Sequence, residues 1–292
     1  MKIKIALIGA NGQLGSDIVK VFSKDKDYFV YPLTHKDIDI SDFSNSKKKL
    51  DKIDFDVLVN TAAYHRVDEI EDFPLKAFEV NAVANKNLAQ YANEKKSTLV
   101  FLSTDYVFGG DTKRRKPYSE KDCPSPLNVY GISKLAGEIF VKNYCQKYFI
   151  IRSCGLFGVA GSSGKGGNLV ENMLELSKTQ KVIRVVNDQV LSPTYTLNLA
   201  QAMAKIIKTD KYGLYHIVSE GECSRYQFTK EIFRNLKIDV RVEPISSRES
   251  NSRTNRPHYS ALENKKLKSL GINIMNSWEK NLVLYLKEKG YL

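Results

Sequence analysis

Along the first half of the chain, apolar residues follow two alternating rhythms. Short runs such as Val57-Leu58-Val59 and Leu99-Val100-Phe101-Leu102 have no polar interruption, as strands buried on both faces require. Strands are predicted at Lys4–Ile8, Phe29–Leu33, Asp56–Asn60, Thr98–Ser103 and Phe149–Arg152. Between them apolar positions recur at helical spacing, over Gln13–Phe22, Phe43–Lys52, Pro74–Glu94 and Tyr130–Tyr144. The longest of these segments puts Leu75, Phe78, Val80, Ala84, Leu88 and Tyr91 near one stripe. Parallel neighbours need crossover connections, so alternating strands and helices predict a parallel sheet covered by helices on both faces. The expected fold class is α/β, a doubly wound parallel sheet of Rossmann type.

The second half is less regular. Helices are predicted near Asn168–Lys178, Leu197–Lys208, Arg225–Leu236 and Asn276–Lys289, and strands near Val182–Val186, Leu214–Ile217 and Val240–Val242. Gly158, Gly161, Gly164, Gly166 and Gly167 gather with Ser162 and Ser163 in one window, which reads as a loop able to cover a site. Lys165 is followed by Gly166 where a triphosphate-binding loop needs Ser or Thr, so that reading is rejected.

Charge and cysteine usage narrow the classes. The net charge of +12 favours anionic partners, but the basic clusters at Lys47–Lys49, Lys113–Lys116 and Lys265–Lys266 are short and carry no interleaved aromatics. They are expected to be solvated faces, with the 113–116 run as the candidate for steering an anionic substrate; a nucleic-acid partner is not expected. No apolar run approaches the roughly 18 residues that span a bilayer, so no membrane partner is expected. The first strand begins almost at Met1 and leaves no room for a signal peptide, which predicts a cytoplasmic protein. Cys123, Cys145, Cys154 and Cys223 are scattered, the histidines lack ligand spacing, and no metal is expected.

Two constellations carry chemistry. Gly9-Ala10-Asn11-Gly12-Gln13-Leu14-Gly15 follows the first strand and opens the first helix. Gly9 allows a tight turn, Gly12 a close approach of backbone to a pyrophosphate, and Gly15 close packing of helix on strand, with the phosphates on helix-end amides. That arrangement predicts dinucleotide binding. The region after the second strand offers His35 and Lys36 where a ribose-binding acid would stand, which tilts toward NADPH; Asp37 and Asp39 keep NADH open. The second constellation is Tyr130-Gly131-Ile132-Ser133-Lys134, with Ser103-Thr104-Asp105-Tyr106 at the end of the fourth strand. Tyr130 and Lys134 share a helix face, so the ammonium is expected to lower the phenol pKa toward neutrality. Tyr130 would then pass its proton to a carbonyl oxygen as hydride reaches the carbon, and Thr104 would hydrogen-bond the developing alkoxide.

The ordered segments GANGQLG, VNTAAY (59–64), STDYVF (103–108), PLNVYGISKLAGE (126–138), VVNDQVLSPTYT (185–196), GLYHIVSEGECSRYQF (213–228) and NRPHYSALENKKL (255–267) resemble extended short-chain dehydrogenases. More narrowly, the chain resembles the dTDP-4-dehydrorhamnose reductase family over essentially its whole length. The resemblance implies that Thr104, Tyr130 and Lys134 are catalytic, that Asn11, Gly12 and Gln13 hold the pyrophosphate, and that Gly9, Leu14 and Tyr130 also lie at the cofactor. By the same resemblance Asp39 and Ile40 lie by the adenine, Ala62, Ala63 and Tyr64 line the cofactor cleft, and Lys134 also binds the nicotinamide ribose. Asp105 and Tyr106 would lie near the sugar. Two positions depart from the family pattern: His65-Arg66 replaces Thr-Ala, and Gly155 replaces a Trp that faces the sugar. His65 and Gly155 are therefore expected at the substrate. The implied domains are a Rossmann unit of residues 1–158 with 187–217, and a substrate-binding unit of 159–186 with 218–292.

Three readings follow: a reductase of dTDP-4-dehydro-L-rhamnose using NADPH or NADH; a reductase of another nucleotide-linked keto-sugar; or a non-catalytic subunit resembling the methionine adenosyltransferase β subunit. A homodimer stays open in each.

Overall fold

The structure is a computed structural model that describes residues 2–161, 167–250 and 252–292. The first half runs β1 (Ile3–Ile8), α1 (Gln13–Phe22), β2 (Tyr28–Leu33), α2 (Phe43–Leu50), β3 (Val57–Asn60), α3 (Val67–Ile70), α4 (Pro74–Phe78), a π-type turn over Glu79–Val83, α5 (Ala84–Glu94) and β4 (Thr98–Thr104). Next come α6 (Val129–Tyr144), β5 (Tyr148–Ser153), β6 (Leu156–Phe157), α7 (Leu169–Ser177), β7 (Val182–Val186), β8 (Val190–Leu191), β9 (Thr194–Tyr195), α8 (Thr196–Ile207) and β10 (Gly213–His216). The last elements are β11 (Cys223–Ser224), α9 (Arg225–Leu236), β12 (Arg241–Ile245), α10 (Lys265–Ser269) and α11 (Trp278–Glu288).

Six strands form one parallel sheet in the order β10-β5-β4-β3-β1-β2. Alternate residues of each strand serve opposite cores. Ile5, Leu7, Val59 and Ile151 pack on α1 and α8, whereas Ala6, Ile8, Leu58 and Ile150 pack on the helices of the other face. Each such fully buried Ile, Leu or Val side chain contributes about 1.5–3 kcal/mol. The chain leaves β1 for β2 on one side and returns for β3 on the other, so the strand order reverses between β1 and β3. The carboxyl ends of the strands open a crevice at that switch point.

A second core unites Phe157, Val170, Ile183, Tyr195, Phe228, Trp278 and Tyr285. It is stitched by the short pairs β12·β7, β11·β8 and β6·β9. The two-residue strands were not predicted, because so short a run has no period to detect. The helix expected over 74–94 is interrupted by the π-type turn, and Leu75, placed on its core stripe, is 86% exposed. The extra residue in the wide turn rotates what precedes it off the stripe. Of the glycine-rich window, residues 162–166 lie outside the described residues.

Candidate active site

The glycine turn behaves as its spacing requires. Gly9 has φ +83°, a conformation other residues adopt only under strain, and the Gly9 and Ala10 amides both donate to the Leu33 carbonyl at the end of β2. A Cβ at Gly15 would collide with the Gly9 carbonyl oxygen, so this glycine lets α1 sit against the turn. Gly12 caps α1 without any side-chain hydrogen bond, which leaves the positive end of the helix to the crevice. Gln13 donates to the Leu156 carbonyl (3.0 Å), and its Oε1 is a buried acceptor with no partner among the described residues. Gly9, Asn11, Gly12, Gln13 and Leu14 line a cavity of about 870 Å³, together with Ala62 and Ala63.

The residues after β2 divide. His35 lines the cavity. Asp37 accepts from the Thr34 amide (2.9 Å) and hydroxyl (2.8 Å), bonds that hold its carboxyl below the usual range. Asp39 is likewise taken by Ser41, and Ile40 is buried in the core; neither lines the cavity. Tyr64 also turns away: its hydroxyl donates to Glu69 (2.5 Å) and its ring lies under Lys76.

Thr104, Tyr130 and Lys134 meet at the carboxyl edge of the sheet. Asn128 caps α6 by accepting from the Gly131 amide (2.9 Å), and Gly131 packs so tightly on the Tyr106 carbonyl that no Cβ would fit. This contact draws the first turn of α6 onto the end of β4, where the Tyr130 phenol comes beside the Thr104 hydroxyl. Tyr106 stands edge-on to the Tyr130 ring at 5.7 Å. The expected electrostatics require correction. Desolvation in the cleft pushes the Tyr130 phenol up rather than down, and the same burial pushes Lys134 down to about 7. Withdrawal from water disfavours both charged forms. Tyr130 therefore holds its proton at neutral pH.

Directly after Thr104, the buried Asp105 carboxylate accepts from Ser260 (2.6 Å) and Thr104 (3.2 Å), while burial raises its pKa. His65 lines the cavity with its Nδ1 at 3.1 Å from the Ala63 carbonyl. Gly155 has φ +51°, and a side chain there would strike Leu191, which forms the wall beside it. The sequence reasoning missed Arg225 and Arg256. Arg225 donates to Gln189 (3.1 Å), Arg256 donates to Asp68 (2.8 Å), and all four line the cavity. Their positions more than 30 residues apart give no local signal. The basic run 113–116 is not part of this lining: Arg114 is tied to Asp122 and the Lys116 and Pro117 carbonyls.

Among the described residues, no helix is long and apolar enough to cross a membrane. The RmlD substrate binding domain family model matches residues 2–290. The Bacillus subtilis spore coat polysaccharide biosynthesis protein SpsK is 34% identical over 287 residues, covering 98% of each chain. The Escherichia coli dTDP-4-dehydrorhamnose reductase is 31% identical over 300 residues, again covering 98% of each. A crystal structure of dTDP-4-dehydrorhamnose reductase from Bacillus anthracis in complex with NADP superposes with a TM-score of 0.92 at 38% identity, over 99% of this chain and 100% of that one.

Proposed function

This chain belongs to the RmlD substrate binding domain family of dTDP-4-dehydrorhamnose reductases, and on that premise we propose that it reduces the C4 keto group of a nucleotide-linked deoxysugar with NAD(P)H, dTDP-4-dehydro-L-rhamnose being the first substrate to test. The observation that carries the reading is convergence. Thr104, Tyr130 and Lys134 line the same cavity as the glycine turn that fits a dinucleotide pyrophosphate.

The dinucleotide, when bound, supplies the hydride. Tyr130, protonated at neutral pH, gives its phenolic proton to the carbonyl oxygen, and Thr104 donates a hydrogen bond to that oxygen as charge develops. Lys134 holds a positive charge beside the phenolate that remains until solvent returns the proton. Arg225 and Arg256 supply the cationic groups suited to the substrate diphosphate, Arg being matched to phosphate geometry. Asp105, Tyr106 and His65 would orient the sugar, while Asp39, Ile40 and Tyr64 would act on the cofactor through the backbone they support.

NADPH is the preferred cofactor in this reading, since Asp37 and Asp39 are held by their own turns and His35 faces the cleft. We assign the parallel sheet with α8 to cofactor binding and the second core to the sugar, and place the reaction in the cytoplasm, where nucleotide sugars and reduced dinucleotide are available. The Gly155–Leu191 wall favours a second reading, in which the sugar differs from dehydrorhamnose.

The test is oxidation of NADPH and of NADH by the purified protein with dTDP-4-dehydro-L-rhamnose generated in situ. Rapid turnover, faster with NADPH, is expected. Binding of NADPH without turnover of this or any related keto-sugar would overturn the enzymatic reading in favour of a regulatory subunit.

A further inference from the structure

Behind the catalytic residues lies a buried ion pair that the reaction scheme leaves unused. Glu138 sits one helical turn after Lys134 on α6 and is fully buried, as is Arg152 on β5. The Glu138 carboxylate Oε1 accepts from Arg152 Nε (2.8 Å) and from Ser103 Oγ (2.6 Å), and Oε2 accepts from Arg152 Nη2 (2.6 Å). Ser103 and Arg152 are register partners on adjacent strands, so the clamp spans β4, β5 and α6 at one level of the sheet. Ser103 immediately precedes Thr104.

An i,i+4 Lys–Glu pair on a buried helix face would ordinarily close on itself. Here both carboxylate oxygens are engaged elsewhere. Lys134 instead lies over the Phe101 ring (4.1 Å) and lines the cavity. We propose that Arg152 is a positioning residue of the active site: by occupying both oxygens of Glu138 it keeps the Lys134 ammonium directed to the cavity, while Ser103 ties the same carboxylate to the strand end that carries Thr104. This assignment rests on the reductase reading of the site.

Other charges near Lys134 do not substitute for this arrangement. The titratable groups lining the same cavity from elements packed on α6 are Asp68 and Glu69 of α3 and Asp105 and Tyr106 after β4, with Tyr130 on the helix itself. The π-type turn and α5 present the neutral Asn81 and Asn85. Glu138 is the charge that opposes the downward pull of burial on Lys134, whose pKa stands at about 7.

The two halves of the pair therefore have opposite effects. Lys134 serves as an ammonium, so NADPH binding and turnover fall as pH rises through its pKa. Glu138→Gln removes the attracting charge and should move this alkaline limb down by about one pH unit. Arg152→Met frees the carboxylate toward Lys134 and should move it up by a similar amount. A purely structural ion pair would lower stability in both variants and displace the limb in neither, or in the same direction in both.

The limb is to be measured in kcat/KM and, without turnover, in the NADPH dissociation constant followed by nicotinamide fluorescence. Opposite displacements support the proposal; unmoved limbs or parallel ones overturn it. Should the charge variants not fold, Ser103→Ala, which removes one hydrogen bond and no charge, is expected to move the limb upward, and an unmoved limb there is equally decisive against. Full wild-type turnover with unmoved limbs would sink this assignment and leave the reductase standing. Opposite displacements in NADPH binding by a protein that turns over no keto-sugar would do the reverse.

Discussion

The two walls of the crevice are built in different ways. The wall proposed to take the cofactor comes from one continuous stretch, β1 through β3, and offers mainly backbone: the Gly9 turn, the uncapped end of α1, and the Ala62-Ala63 segment. The wall proposed to take the sugar is assembled from pieces far apart in sequence, around residues 155, 168, 189, 225 and 256, and offers side chains such as Arg225, Arg256 and Asp105. Backbone recognition depends on where glycine is and tolerates little else. Side-chain recognition can be rewritten one residue at a time, as at Arg225 or Arg256.

The sharpest way to break this comparison is to cut the residue both walls share. Tyr130→Phe should lower kcat by about 10²–10⁴-fold, the usual worth of a positioned acid, with the NADPH dissociation constant unchanged. A variant that keeps most of its rate would remove Tyr130 from the role of acid. Next in size, Gly15→Val should force the turn away from α1 at a cost of about 1–3 kcal/mol of stability and weaken NADPH binding. Thermal melting and fluorescence titration measure both, and undiminished NADPH binding would show that the wall does not depend on its backbone fit.

Arg256→Ala probes the other wall. It should raise KM for the nucleotide sugar about tenfold, the value of one charge-assisted hydrogen bond, and leave NADPH binding intact. Equal losses for both ligands would dissolve the division of the crevice. The last effect concerns acid. His216, at the end of β10, is buried with Nδ1 on the Tyr118 carbonyl (3.0 Å), and burial lowers its pKa from the ordinary 6.5 to about 3. Because the depressed pKa keeps the folded form neutral, the unfolded chain alone gains a proton between these values. Stability should thus fall as pH drops below 6.5, by up to about 1.4 kcal/mol per unit. Denaturant titrations at stepwise pH should show a flatter acid slope in His216→Gln.

What the sequence disclosed follows the same division. The strands of the parallel sheet, the Gly9–Gly15 turn and the Tyr130/Lys134 spacing were legible because each is local, with a period or a fixed offset. Arg225, Arg256 and Leu191 were not, since their convergence is a property of the folded chain. The protonation of Tyr130 was misjudged for a related reason: spacing reveals that a lysine is near, but burial decides what its proximity is worth. Glu138 stood in plain view four residues after Lys134, yet its meaning depends on Arg152, which reaches it only through the β4–β5 register.

The wide turn at Glu79–Val83 has a consequence for how this protein can change over generations. Asn81, within it, donates to the Tyr64 carbonyl (2.8 Å) and the Ser133 hydroxyl (3.1 Å) and accepts from the Tyr64 amide (2.9 Å), joining the crevice to α6. One residue corresponds to about 100° of rotation around a helix. An in-frame loss of a single codon here would restore a regular helix while swinging Asn81 away from all three partners. Missense changes at the exposed Glu79 or Val83 would leave that geometry untouched. At this point of the chain, length is under tighter constraint than spelling.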